Sequence, residues 1–134
     1  MLELTMLIFS PTEQKLLQNS GVDGLILFGS QAQGAAGSVS DFDILVIGKK
    51  TDKAYDLIYD LLAEKINRLT DIDIVFNAEA PLELKHHAIK YGQVLYQKHP
   101  AVFADFKQQT ILELADFAPY RAIFQQATLA RINP

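Results

Sequence analysis

The sequence predicts a single α/β (α+β) domain, in which helices cover one face of a small sheet. The first observation is length, because 134 residues leave no room for a second hydrophobic core. The second is a series of short apolar and β-branched runs, which alternate along the chain with longer helical patterns. We therefore expect one domain over residues 1–134, with a core over 12–98 and a helical tail over 100–132.

The first predicted element is a helix that begins at residue 10. Ser10 is a typical N-cap, Pro11 suits the first turn, and Glu13 completes a capping box. Gly21 is the residue type that most often ends a helix. The sequence therefore predicts a short first helix with a well-defined start and end.

The other elements follow from hydrophobic periodicity and from the positions of glycine and proline. An amphipathic stripe predicts the longest helix in the middle of the chain. The predicted elements are strand 25–28, strand 41–47, helix 53–69, strand 71–76, helix 81–92, strand 94–96 and a helical pattern from residue 100 that Pro119 interrupts.

The most informative stretch is Gly29-Ser30, followed ten residues later by Asp41-Phe42-Asp43. Residues two apart in a strand point to the same face, so Asp41 and Asp43 project together. Two carboxylates beside a Gly-Ser turn make a site for hard cations that carry a phosphate chain. A lone pair of this kind is usually solvated decoration of a strand edge, but the turn upstream and a third carboxylate downstream favour the functional interpretation.

The third carboxylate lies in the run from Asp71 to Phe76. Asp73 stands between two isoleucines, which places it within the predicted strand. Asp71 stands at the start of that strand, where a solvated or capping role is the alternative. We expect Asp73 to be the functional carboxylate, on the open sheet face opposite the helices.

These residues resemble a minimal nucleotidyltransferase of the polymerase-β superfamily, the MNT type found as the antitoxin beside HEPN toxins. The resemblance covers residues 12–125 and implies a small mixed sheet with the active-site carboxylates on the face opposite the helices. The residues that carry it, in the family's order and context, are Gly29, Ser30, Asp41, Asp43 and Asp73.

The resemblance implies Mg²⁺-dependent transfer of AMP from ATP to a hydroxyl, with a tyrosine of a HEPN toxin as the expected acceptor. Asp41, Asp43 and Asp73 would hold two Mg²⁺ ions, which stabilise both ends of an in-line displacement. Gly29 would let the backbone approach the phosphates, and Ser30 would bind their oxygens.

The chain departs from the family in the turn after Gly-Ser. Family members usually carry arginines there, whereas this chain has Gln31 and Gln33, which offer the phosphates only neutral hydrogen bonds. Two alternatives therefore accompany the AMP-transfer hypothesis. One is transfer to a small, aminoglycoside-like molecule, and the other is a non-catalytic antitoxin that acts by direct binding.

The expected assembly is a hetero-oligomer with the toxin, and a homodimer is the alternative. Apolar residues of the tail are candidates for docking to the partner, unless the tail packs on its own sheet. These residues are Phe103, Phe106, Ile111, Leu114 and Phe117.

Composition excludes several other classes. The net charge of −4 argues against direct nucleic-acid binding, which requires clustered lysine and arginine. The absence of cysteine excludes disulfides and fits a reducing cytoplasm. The apolar stretch Met1–Phe9 is too short to span a bilayer and lacks a basic start, so we expect a packed segment and no membrane association.

The remaining histidines and tyrosines receive structural interpretations. His86 and His87 are adjacent on a predicted helix and diverge by about 100°, so they do not form a metal pair and are interpreted as solvated. His99 precedes a proline and is interpreted as structural. Tyr91 and Tyr96 are interpreted as packing residues, with stacking on a nucleotide base as the alternative.

Overall fold

The computed structural model describes residues 8–29, 42–66 and 71–117. These residues form four helices and four strands. In chain order they are α1 (Pro11–Asn19), β1 (Val22–Phe28), β2 (Phe42–Gly48), α2 (Asp52–Ile66), β3 (Ile72–Phe76), α3 (Leu82–Tyr91), β4 (Gln93–Gln97) and α4 (Ala101–Asp116). The predicted order of elements is confirmed, and the fold is a mixed α/β fold.

The first helix begins as its sequence predicts. The Ser10 hydroxyl accepts a hydrogen bond from the Glu13 backbone N–H at 3.2 Å, and the Ser10 N–H donates to Glu13 Oε1 at 2.8 Å. Both bonds of the capping box are therefore present. Gly21 follows the helix with a φ of 83°, which is the left-handed conformation typical of a helix end.

The four strands form one sheet in the order β3-β2-β1-β4. β1 pairs antiparallel with both β2 and β4, and β2 pairs parallel with β3 through the crossover helix α2. The register places Phe28 opposite Asp43, and Asp43 beside Asp73. Three strands therefore contribute one residue each to a single row at one edge of the sheet.

Helices cover both faces of this sheet, so the expectation of helices on one face is wrong. The α1–α2 face buries Leu25, Ile44 and Phe76 against residues of these two helices. On the α3–α4 face, Ile26 and Leu45 are buried with Ala88 and Phe106. The central strands are apolar on both sides, and a strand of this kind needs cover on each face.

Asp43 and Asp73 lie on the α3–α4 face, because they alternate with residues of the α1–α2 core along their strands. The carboxylates therefore share a face with two helices and stand at the end of that face. A salt bridge of 3.3 Å between Lys85 and Glu113 joins α3 to α4 across this layer. None of the described helices is long and apolar enough to cross a membrane.

Candidate active site

The candidate site is the row that Phe28, Asp43 and Asp73 form at the edge of the α3–α4 face. Adjacent strands lie about 5 Å apart, so the pairing holds the two aspartates side by side. Asp43 is half-buried and Asp73 is exposed. Asp73 lies within β3, as expected, whereas Asp71 precedes the strand and accepts a backbone hydrogen bond from the Phe42 N–H at 2.9 Å.

Gly29 fits against the Asp43 carboxylate. Its φ of 79° lies in the left-handed region, where a side chain is strained. A Cβ atom added at Gly29 would lie 2.5 Å from Asp43 Oδ2, which is closer than non-bonded atoms approach. The absence of a side chain at this position therefore serves both the turn and the placement of the carboxylate.

Several of the predicted site residues lie outside the described residues. They are Ser30, Gln31, Gln33 and Asp41. Within ranges 8–29, 42–66 and 71–117, no three acidic, histidine or cysteine side chains converge on one point. The structure thus brings together Gly29, Asp43 and Asp73 out of the predicted set.

The two carboxylates have the chemistry of a magnesium site. Carboxylate oxygens are hard donors, and Mg²⁺ in phosphate-binding sites is usually bound by one or two of them. The donor set formed by Asp43 and Asp73 therefore fits the metal that the sequence resemblance implies.

Aromatic side chains continue the row on the side away from Asp73. The His87 ring contacts Phe28 edge-on with ring centroids 6.3 Å apart, and the Tyr91 ring lies 5.0 Å from His87. His87 is half-buried, so its interpretation as a solvated histidine is wrong. His86 is exposed, which confirms that the adjacent histidines point in different directions.

The sequence gives only a weak signal for this aromatic group. Histidine is a common surface residue, and Phe28 reads simply as the last position of an apolar strand. The contact depends on α3 crossing the sheet so that its last two turns meet the end of β1. This arrangement is a long-range property, and the local pattern of α3 does not encode it.

Two other predicted residues have structural roles. His99 Nδ1 accepts a hydrogen bond of 3.3 Å from the Ala101 backbone N–H, at the start of α4. Tyr96 is buried in the core of the α1–α2 face, which excludes it from stacking on a ligand in the candidate site. Burial, together with the nearby charge of Asp23, raises the pKa of the Tyr96 hydroxyl.

The tail residues divide into two groups along α4. Phe106 and Leu114 are buried, and Phe103 is half-buried, so this side of the helix packs on its own domain. Ile111 and Phe117 are exposed, as is the neighbouring Leu112. Only these exposed residues of the described tail remain candidates for the predicted docking surface, which stays a prediction.

Known proteins share the sequence pattern and the fold of this site. A family model described as polymerase beta, nucleotidyltransferase matches residues 12–101. The matched range contains the whole sheet and both described carboxylates. A search of curated proteins finds no significant match.

Several solved structures share the fold. A toxin–antitoxin complex with AMP-PNP is 24% identical, with a TM-score of 0.64 over 95% of this chain and 99% of that chain. A mutant of the MntA–HpeT toxin–antitoxin pair is 26% identical, with a TM-score of 0.59 over 85% and 93%. A chain of the complex between a tri-AMPylated Shewanella oneidensis HEPN toxin and an MNT antitoxin is also similar, at 21% identity and a TM-score of 0.53 over 86% of this chain and 98% of that chain.

Proposed function

Since this chain belongs to the polymerase beta nucleotidyltransferase family, we propose that it is a cytoplasmic, Mg²⁺-dependent enzyme and the antitoxin of a HEPN/MNT pair. Its proposed reaction is the transfer of AMP from ATP to a hydroxyl of the HEPN toxin, with tyrosine as the expected acceptor. The hydroxyl oxygen forms a bond to the α-phosphorus of ATP, the bond from that phosphorus to the β-phosphate breaks, and pyrophosphate leaves. The family match confirms the class of enzyme that the sequence predicted. The proposal adds ATP as the donor, Mg²⁺ as the metal and a toxin hydroxyl as the acceptor.

The single observation that carries the proposal is the row of Asp43 and Asp73 beside Gly29. Asp43 and Asp73 would hold Mg²⁺, with Asp41 as the proposed third ligand. When bound, the metal supplies positive charge that offsets the charge developing on the transferred phosphate. Gly29, which has no side chain, would let the backbone approach the phosphate chain, and Ser30, Gln31 and Gln33 are the proposed hydrogen-bonding partners of its oxygens.

A protein acceptor suits the shape of the described domain. A small acceptor needs walls around it, and the natural candidate for a wall is the helical segment after residue 100. In this chain α4 packs Phe106 and Leu114 against its own domain. Asp73 is exposed, which suits a hydroxyl presented by a large partner.

The solved structures supply the proposed identities of donor and partner. One similar complex contains AMP-PNP, and another contains an AMPylated HEPN toxin. A partner of this kind needs a docking surface, and the exposed Ile111 and Leu112 of α4 offer one. We therefore favour AMP transfer to a toxin over transfer to a small molecule.

The test is incubation of the purified chain with labelled ATP, Mg²⁺ and the HEPN-type protein encoded beside it, followed by intact-mass spectrometry. We expect the partner to gain the mass of one or more AMP groups, and Asp73→Asn to abolish that gain. Asp56→Asn, which changes an exposed aspartate on α2, is the matched control and should leave transfer intact.

Other outcomes would contradict the proposal in distinct ways. Label on an aminoglycoside-like compound alone would assign a small-molecule transferase. A tight complex without any AMP transfer would assign a non-catalytic antitoxin.

A further inference from the structure

Phe28, His87 and Tyr91 are joined by successive ring contacts, and this aromatic group, here called the ring wall, lies beside the carboxylate row. We infer that the ring wall receives the base of the nucleotide, while the carboxylate row receives its phosphates. This inference rests on the proposed function and extends it, because it assigns a binding surface for the part of the donor that does not react.

The ring wall and the carboxylates lie on the same face of the sheet. Phe28 is the register partner of Asp43, and partners across an antiparallel pair project to the same side. Phe28 also belongs to the buried cluster of the α3–α4 face, together with Leu45, which lies two residues after Asp43. A ligand bound to Asp43 is therefore adjacent to the Phe28 ring.

The end of α3 lies at the same edge of the sheet as the carboxylates. Gly92 ends α3, and the next residue, Gln93, pairs with Leu27 near the end of β1. A Cβ atom on Gly92 would lie 2.6 Å from the Ile26 side chain, so the helix end sits directly on β1. His87 and Tyr91 occupy the last two turns of α3 and extend the row from Phe28 outward.

The exposure of the three rings increases from Phe28 through His87 to Tyr91, so the outermost ring is accessible to a ligand. Phe28 is 8% exposed, His87 is half-buried, and Tyr91 is 43% exposed. The first two rings support the third, and their centroid spacings of 6.3 and 5.0 Å are those of direct aromatic contact. The Tyr91 ring therefore offers a supported, solvent-accessible surface to a planar group.

Charge at the ring wall also suits an anionic nucleotide. The Lys90 ammonium lies 5.3 Å from the centroid of the Tyr91 ring, which is within the range of a cation–π contact. A cation at this position adds attraction for an anionic ligand. Base stacking on aromatic side chains tolerates any base, so the ring wall contributes affinity and orientation.

The experiment compares two ligands with the full chain in the presence of Mg²⁺. The first ligand is a non-hydrolysable ATP analogue, and the second is inorganic tripolyphosphate, which has the phosphates but no base. Calorimetric titration should show that Tyr91→Ala binds the analogue about ten-fold more weakly, the size typical of one lost base stack. Binding of tripolyphosphate should be unchanged.

The chain offers a closely matched control in Tyr55. Tyr55 is 40% exposed, lies on helix α2 and belongs to the opposite layer of the molecule. Tyr55→Ala removes the same ring at nearly the same exposure, and should change neither affinity. Tyr91→Phe keeps the ring and should keep the affinity, whereas His87→Leu should weaken binding of the analogue by removing the support.

Each remaining outcome counts against the inference. Unchanged affinity of Tyr91→Ala for the analogue would overturn it, and so would an equal loss for both ligands, which would place the residue at the phosphates. A variant that binds the analogue normally but shows a raised KM for the toxin would assign the wall to the acceptor. Failure of the wild-type chain to bind any nucleotide would overturn the proposed function itself, together with this extension of it.

Discussion

The two faces of the sheet are built by the same strands and differ at the edge where the carboxylates stand. On the α1–α2 face, Phe42 and Ile72 carry the apolar layer to the end of β2 and β3. On the α3–α4 face, the next residues along these strands are Asp43 and Asp73. A step of one residue along each strand therefore separates a buried core from a polar edge.

Within β2, one residue contributes to stability and the next contributes to the proposed chemistry. Phe42 has no exposed surface, so its contribution is to the free energy of folding. Asp43 and Asp73 place two negative charges side by side, which does not stabilise a sheet in the absence of a cation. Neighbouring substitutions in β2 should therefore have opposite consequences, with a loss of stability at Phe42 and a loss of activity at Asp43.

The largest effect is expected for Phe42→Ala, which creates a cavity in the α1–α2 core. The free energy of unfolding should fall by about 3–5 kcal/mol, the range for buried phenylalanine replaced by alanine. Urea-induced unfolding followed by circular dichroism measures this change. Phe42→Leu is the volume-conserving control and should lose about 1 kcal/mol.

The matching prediction for the neighbouring residue, Asp43, is a loss of activity without a loss of stability. Asp43→Asn should leave the urea midpoint near that of the wild type while abolishing AMP transfer. A loss of stability at Asp43 as large as that of Phe42→Ala would identify Asp43 as a buried structural residue.

A smaller loss of stability is expected for Gly29→Ala, with a large loss of activity. The left-handed backbone at Gly29 should make alanine unfavourable by about 1–2 kcal/mol. The added methyl group also collides with Asp43 Oδ2, so the carboxylate must move. Thermal melting measures the first effect, and labelled transfer from ATP measures the second.

Gly21 is the matched control for this substitution. Its φ of 83° is nearly the same, but the atom closest to an added Cβ is the Lys49 Cβ at 3.9 Å, an ordinary contact. Gly21→Ala should therefore lose a similar amount of stability and keep full activity. Equal activities of the two variants would show that the position of Asp43 does not depend on Gly29.

The smallest effect concerns a charged pair at the rim of the α1–α2 face. Lys65 Nζ lies 2.8 Å from Glu13 Oε1, and this hydrogen bond, with that from the Ser10 backbone, lowers the pKa of Glu13 below its ordinary value of 4.5. The stabilisation is complete above that value and is lost as the pH falls through the lowered pKa of the folded state.

Glu13→Gln should therefore reduce stability at pH 7 by less than about 1 kcal/mol and make the melting temperature less sensitive to acid. Melting curves between pH 2 and 7 measure the difference from the wild type. Transfer activity at pH 7 should not change, since the pair lies on the layer opposite the carboxylates. An unchanged pH dependence would show that the pair does not contribute.

Local signals predicted most of the elements. The capping box of α1 and the alternation of Asp73 with isoleucines depend only on neighbouring residues, and both predictions are confirmed by the geometry. That Asp43 and Asp73 share one face does not follow from alternation within a strand, because it depends on the register between β2 and β3. The pattern correctly placed Asp73 inside its strand and Asp71 before it.

Long-range packing was the part that local patterns did not predict. The run Leu25–Phe28 is apolar on both sides, but alternation does not tell which helices cover each side, so α3 and α4 were expected on the wrong face. The local sequence predicts a solvated His87, since its burial depends on a long-range contact between α3 and the end of β1. Asp41 lies outside the described residues, so its role as the third carboxylate stays a prediction.

The central claim is that Asp73 and Asp43 form the metal-binding edge that serves nucleotidyl transfer. The most direct measurement is the Mg²⁺-dependent rise in melting temperature with a non-hydrolysable ATP analogue, for the wild type, Asp73→Asn and Asp71→Asn. Asp71 provides an aspartate two residues away that precedes the strand. We expect the rise in the wild type and in Asp71→Asn, and its loss in Asp73→Asn, whose melting temperature without metal should equal or exceed that of the wild type. An unchanged Mg²⁺-dependent rise in Asp73→Asn, or its loss in Asp71→Asn alone, would contradict the account.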